Sequence, residues 1–472
     1  MKHTSFPLRP IAAAILLGLS CASSVVFAQT QNTTTSFLYD AVGNVRQITD
    51  PLNHITTQTY DPLNRLVKRT DPNNGNTQYT YDGLDQLVRV IDPRNVTTNY
   101  IIDGLGNQSA LISADTGTTN STVDAAGNLL TKTDAKGQTT RYQYDVLNRV
   151  NQITYHDNSV VNTLYDQGIN GIGRLSQIND INGTIAYTYD GFGRIATETR
   201  ILTGNPSPFV TSYAYDNAGR LISTTYPSGR MVNTLRDAQG RINQINTTKD
   251  NLTTPLITQV TYQPFGPVKS ITFANGMVSN RTYDLDGRMT SYTLNGQPQT
   301  ISYDAASRIT GITDPVNPAR STSYGYDVLD RLTNYQLPST SQTYTYDATG
   351  NRTSKTVDAS VTNYSYQPNS NQLTQIAGSQ TTPIATDVNG SITSNANTQF
   401  TYDVRGRLTA VNTPMGSVQY TINALGQRIK KASQSNTTLF HYDGSGKLIA
   451  ETSAQGTSEY VYLGDIPVAV LK

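Results

Sequence analysis

Few side chains in this 472-residue sequence could do acid–base, nucleophilic or metal chemistry: there are four His, one Cys and no Trp. Beyond the N-terminal segment the histidines are His54, His156 and His441. None has a second His or a Cys at ligand spacing, so they read as solvated or turn histidines and no metal site is expected. Gly444-Ser445-Gly446-Lys447 resembles part of a phosphate loop but lacks its full glycine and Lys-Ser/Thr spacing. Asp284-Leu285-Asp286-Gly287 resembles part of a calcium loop, yet Asn295 stands where the bidentate Glu belongs. Neither a G-x-S-x-G elbow nor an H-E-x-x-H motif occurs. Paired carboxylates remain, since retaining glycosidases use two carboxyls about 5–5.5 Å apart. Asp, however, recurs throughout, and a catalytic carboxylate should stand out from a recurring pattern; Glu is confined to Glu198, Glu451 and Glu459. The expectation is no enzyme, with no catalytic, cofactor-binding or metal residue.

The composition points to what positions these residues. Hydrophobic residues make up 36% and charged ones 15%, while Tyr outnumbers Phe thirty to nine. Such values argue against Leu-rich helical domains and charged coiled coils, and the spread of Tyr, Thr and Ile argues against disorder. Lys2 and Arg9, the apolar run Ile11 to Leu19 and the small residues before Gln29 form a secretory signal pattern. The expected organisation is a signal peptide at 1–28, a short leader at 29–36 and one repeat region at 37–472. A lipoprotein signal modified at Cys21 is the rival reading. Cleavage after Ala28 would remove the sole Cys and leave 33 basic against 34 acidic residues. A near-neutral chain without basic clusters offers no footprint for nucleic acid. No later run of 18 apolar residues is present, so no transmembrane segment is expected after signal removal.

A tyrosine slot recurs every 21 residues at the start of the repeat region and every 20 near its end, defining twenty-one units. Literal pairs include Tyr39-Asp40, Tyr60-Asp61, Tyr81-Asp82, Tyr144-Asp145, Tyr189-Asp190, Tyr215-Asp216 and Tyr283-Asp284. Tyr326-Asp327, Tyr346-Asp347, Tyr402-Asp403 and Tyr442-Asp443 continue the series. Asp suits the first position of a type I turn, and the residue four after Tyr should be left-handed. That slot holds Gly43, Gly193, Gly219, Gly287, Gly350, Gly406 and Gly446, and elsewhere Asn64, Asn148, Asp85, Asp330, Ser307 or Ser370. Arg194, Arg220, Arg288 and Arg407 follow it and should pair with the Asp of their own or the adjacent turn. Tyr residues two apart mark one face of a strand. After the turn, apolar residues three apart, such as Leu408 and Val411, predict a bulge. Each unit is thus a hairpin, and a 20-residue period means a stacked array. The Tyr row reads either as the packed face or as a surface that stacks on sugars.

These units resemble the YD-repeat, or Rhs (rearrangement hot spot), family, whose motif is Y-D-x-x-G-R; thirteen literal pairs in register carry the likeness across residues 37 to 472. The resemblance implies an all-β sheet strip spiralling into a hollow shell, as in Rhs effectors, cocoon subunits of insecticidal toxin complexes and teneurins. It further implies a role enclosing a toxic domain or serving as an adhesive scaffold. In Rhs effectors the repeats lead into a self-cleaving core with a D-P-x-G-type motif. Residues 460–472 are similar to the stretch before that core, and the Asp-Pro pairs at Asp50, Asp61, Asp71, Asp92 and Asp314 all lie in repeat turns. The expectation is a shell truncated at its C-terminus, with Val468 to Leu471 as an exposed apolar edge. Its partner would be a downstream Rhs core or toxin polypeptide. The alternative is a cell-surface adhesin that binds glycans.

Overall fold

The computed structural model describes residues 33–472 apart from Phe265 and Asn295. It is an all-β array of 42 strands, two for each of the twenty-one units. Every strand pairs antiparallel with the next, from Ser36–Tyr39 on Val45–Thr49 to Gly456–Leu463 on Ile466–Leu471. Among the described residues no α-helix occurs, only a 3-10 turn at Pro318–Arg320. No pairing joins the first strand to the last, so the sheet is a strip with two ends.

The turn residues cut this strip into hairpins. In the unit of Tyr60, the Asn64 N–H donates to the Asp61 carbonyl at 2.9 Å and the Asp61 N–H to the Arg65 carbonyl at 3.0 Å. Asn64 has φ of 62°, as the turn requires, and Gly43 and Gly193 meet the same need at 96° and 79°. Asp85, Asn148, Ser307 and Asp330 are left-handed too. Ser370 is not. Its loop is one residue longer, closing from the Gln367 N–H to the Gln372 carbonyl, and the added residue lets the chain reverse without a left-handed Ser.

Beyond each such turn the register slips by one. Tyr402 pairs with Leu408 and Phe400 with Val411, leaving Thr409 as the extra residue. The bulge therefore returns Leu408 and Val411 to one face, as their spacing of three predicted.

The strip then overlaps itself. Its hydrogen bonds between distant segments join residues 225 to 279 apart. Arg94 donates to the Ser370 carbonyl at 2.9 Å, Lys136 lies 2.6 Å from Asp387, and Asn182 donates to the Ile422 carbonyl at 2.8 Å. These contacts set the second turns of the first coil, the ones opposite the Tyr-Asp turns, against the Tyr-Asp turns of the second coil. A carbon core forms at this overlap. Tyr226, Val232, Ile245, Ile257 and Ile271 pack with Ile449, Val461 and Leu463. The last strand, Ile466–Leu471, pairs with Gly456–Leu463 alone, so its outer edge carries no partner strand, but its apolar side chains are not left bare: Ile466, Val468, Ala469 and Leu471 pack on this cluster, while Pro467 and Val470 stay exposed. Apolar residues that end a strip find the preceding coil within reach, which a reading of neighbours in sequence does not reveal.

Candidate functional site: the repeat ladder and the coil junction

The Tyr-Asp-Gly-Arg residues form one ladder along the rim. Asp61 Oδ1 accepts the N–H groups of Leu63 at 2.9 Å and Arg65 at 3.0 Å, while Oδ2 accepts Arg65 Nε at 2.7 Å. Arg65 then reaches forward. Its Nη1 donates to the Asp82 carbonyl at 3.1 Å and to Asp85 at 2.7 Å, and its guanidinium lies 4.9 Å from the centre of the Tyr81 ring. Tyr81 reaches back, donating its hydroxyl to the Leu66 carbonyl at 3.0 Å.

The pattern recurs wherever the residues do. Asp190, Arg194 and Tyr215 repeat it, with the phenol of Tyr215 on the Ile195 carbonyl. Asp327, Arg331 and Tyr346 repeat it again, and Arg331 also donates to the Asp347 carbonyl at 2.7 Å. Asp145, Asp216, Asp284 and Asp403 hold Arg149, Arg220, Arg288 and Arg407 in the same way. Asp40 and Asp347 take Asn44 and Asn351 instead, whereas at Asp443 the following Lys447 reaches on to the Gly464 carbonyl. Asp82 caps the N–H groups of Leu84 and Gln86. In their turns Gly219, Gly287, Gly350, Gly406 and Gly446 each donate an N–H to the carbonyl of the preceding Asp.

The motif tyrosines are half-buried, except Tyr39, which begins the ladder and is exposed. Tyr60, Tyr144, Tyr189, Tyr283, Tyr326, Tyr402 and Tyr442 all donate to a backbone carbonyl of the preceding unit. That carbonyl belongs to the first strand residue after the turn, beside the bulge that interrupts the ladder, so the phenol supplies a donor where a Phe would leave the acceptor unserved. The charges follow this bonding. The hydrogen bond from Arg65 is the main reason that the Asp61 carboxyl is held below its ordinary range. Burial pushes the Tyr303 phenol up, keeping it a neutral donor. Motif spacing suggested the Asp–Arg pairing. The stacking of Arg on the next Tyr and the backward phenol bond carry no local sequence signal.

A second constellation lies at the coil junction and departs from the repeat. Glu198 is 1% exposed and takes the Nε of buried Arg200, whose Nη1 crosses to Gln427 of the second coil at 2.8 Å. Beside them Tyr213 accepts the Gly444 N–H at 2.6 Å, again between coils. Glu198 Oε2 has no hydrogen-bond partner among the described residues, and burial raises the Glu198 carboxyl against the opposing pull of Arg200. His441 is buried here as well, its ring 4.4 Å from that of Phe209 and its Nε2 3.1 Å from Thr452. Burial, aided by Arg200, holds its pKa at about 4. The expectation of a solvated or turn histidine is therefore corrected for His441: a strand position that would face solvent in one coil is covered by the other.

Glu459 repeats the theme, nearly fully buried against Ser228 and with Arg230 Nε at 2.5 Å. The cavity bordered by Arg200, Phe209, Asn423, Phe440 and His441 holds about 20 Å³, room for a single water. Two of the three Glu thus stand out from the pattern, as joints between coils. Elsewhere, His54, Asp50 and Asp330 bring ligand atoms within 4.8 Å of one another. Asp50 already caps Leu52 and His54, and Asp330 already binds Arg308, which accounts for the group without an ion.

The secretory pattern, including Cys21 and the site after Ala28, lies outside the described residues, as does Asn295. Among the described residues no helix is long and apolar enough to cross a membrane.

Comparison with known proteins agrees with this architecture. A model of the teneurin YD-shell matches residues 319–465, and the RHS-repeat model matches residues 39–75, 60–98, 123–160 and 209–231. No curated protein sequence matches the chain. Among solved structures, TcdB2-TccC3 without its hypervariable C-terminal region is similar at a TM-score of 0.75 and 16% identity, over 91% of this chain and 27% of that one. TcdB2-TccC3 itself gives a TM-score of 0.72 at 15% identity, over 91% and 28% of the two chains. A Tc holotoxin pore of Photorhabdus luminescens gives 0.73 at 15% identity, over 91% and 27%. The chain thus spans little more than a quarter of the length of these structural relatives, and at such identities the likeness concerns the fold. Repeat motif, hairpin array and overlapping strip together make this chain a member of the YD-repeat (Rhs) family.

Proposed function

We propose that the chain is an exported, non-enzymatic YD-repeat scaffold of the Rhs toxin-carrier or contact-dependent surface class, acting as a carrier for an Rhs core or toxin polypeptide. One observation supports this most directly: the recurrent polar groups are consumed in building the strip. Asp binds its own turn and its Arg, Arg caps the next turn, and Tyr serves the preceding bulge. Glu198, Glu459 and His441, which depart from the repeat, are spent at the coil junction, Glu198 through Arg200 on Gln427, Glu459 on Arg230 and His441 against Phe209. The Arg heads lie over the ladder tyrosines, occupying the ring faces that a sugar would need. In this reading residues 1–28 are a cleaved signal and residues 37–472 one shell-like domain.

The test is to co-express this chain with a candidate core-bearing polypeptide encoded beside it. Co-purification of a core-bearing polypeptide, protected from protease only in the complex, is the expected result. Saturable binding on a glycan array, lost when exposed Tyr residues are replaced, would favour the adhesin and overturn the carrier. N-terminal sequencing of the exported protein should begin at Gln29.

A further inference from the structure

The hairpins of the strip are not equal in length. From Ser36–Tyr39 to Gly183–Tyr189 the strands have four to seven residues, but Ile195–Leu202 and Asn205–Tyr215 have eight and eleven. Ile242–Lys249 and Leu252–Tyr262 repeat those lengths. Both long hairpins reach the second coil, so each is a clasp on it. In the first clasp Arg200 donates to Gln427, while Phe209 and Tyr213 meet His441 and Gly444. In the second, Ile245 and Ile257 meet Ile449, Val461 and Leu463.

The two clasps differ in chemistry. The second is closed by apolar packing, which does not titrate, and the buried acid beside it, Glu459, is matched by Arg230. The first is closed around a titratable ring, His441, which is 4% exposed and meets Thr452 through its Nε2. The charges packed around that ring are Arg200 and Glu198 on the clasp, Arg428 stacked on Phe440, and Asp180 across the shared cavity. Asp443 stands two residues further along the chain and Glu451 on the paired strand. Glu198 is held by Arg200 and Asp180 by Arg405, and among the described residues no carboxylate bonds to the ring. The cavity of about 20 Å³ has room for one water, too little to hydrate an imidazolium.

We propose that the first clasp is an acid-released latch: a proton on His441 parts residues 423–444 from the hairpin at 195–215, while the apolar second clasp stays shut as the hinge. Linkage fixes the direction. The ring titrates at about 4 when enclosed and at 6.5 when free, so it favours the closed clasp fully above pH 6.5 and loses that preference as pH falls toward 4. Glu198 works in the opposite sense, because burial raises its carboxyl and a proton there relieves the closed form.

The test is amide exchange read by mass spectrometry at pH 7 and pH 5, each rate corrected for the intrinsic pH dependence of exchange. The Gly444 N–H is the reporter, since it donates to Tyr213 across the coils. Its opening equilibrium should rise about 20-fold more in wild type than in His441→Phe, a comparison that cancels the Glu198 contribution. His441→Gln should match His441→Phe, which guards against a folding defect in either. Far-UV circular dichroism should be the same at both pH values. Residues 456–463 at the second clasp and the Asn371 N–H, which crosses to Asp115, should keep their protection. An equal rise in the two variants overturns the latch, as does a second clasp that opens together with the first.

Discussion

Residues 36–91 and residues 176–271 are built from the same unit, yet they are stabilised differently. In the first stretch every residue keeps some exposure, and the opening strand Ser36–Tyr39 is exposed throughout. Strand pairing, ladder bonds and Arg–Tyr stacking hold it, and the other coil comes near at Asp50 and His54, which meet Asp330 without forming a buried apolar core. In the second, Ile245 and Ile257 are fully buried because Ile449, Val461 and Leu463 arrive from the other coil. The difference separates two roles. The local ladder fixes turn and register, as nearest-neighbour contacts do in repeat proteins, whereas burial comes from overlap between coils.

That division can be broken experimentally. The largest effect should come from Arg200→Ala, which leaves Glu198 buried without its cation; a loss of about 3–5 kcal/mol is expected and is read from urea unfolding. Ile257→Ala should cost about 2–5 kcal/mol in the same assay, and both substitutions should loosen residues 429–463 in hydrogen exchange before residues 36–91. His441 sharpens the comparison through pH. Its folded pKa of about 4 lies below the ordinary 6.5, so its contribution is complete above pH 6.5 and is lost as pH falls from there toward 4. Stability should drop by about 2 kcal/mol between pH 7 and pH 5, and His441→Gln should flatten that slope. Tyr81→Phe, in the thin region, should cost about 1 kcal/mol and raise exchange around Leu66 alone. Arg65→Ala should have the smallest effect, since its ion pairs are screened by solvent, and should be visible only in the same local window of exchange. An exchange response to Tyr81→Phe that spread to the junction would defeat the separation of roles.

How far these features could be read in sequence follows from the range over which they act. Hairpin, left-handed slot and bulge are settled within one unit, so Tyr-Asp spacing and the pair Leu408 and Val411 disclose them. Asp–Arg pairing spans four residues and is equally visible. Ser370 misleads because an inserted residue changes the loop while the residue type stays compatible with the slot. The burial of His441, Glu198 and Glu459 depends on partners more than 220 residues distant. No periodicity connects such residues, although the scarcity of Glu did mark the positions as unusual. The packed tail belongs to the same class.

The direction of the phenol bond gives the strip an order of assembly. Tyr81 donates to a carbonyl of the unit before it, which the ribosome has already made. Each newly completed hairpin can therefore fasten to finished structure at once, and the growing end never waits for a later residue to serve that bulge. Closure between coils obeys a different clock: Arg94 cannot meet Asn371 until some 277 further residues exist. Synthesis thus leaves a long interval in which the second turns of the first coil stand uncovered.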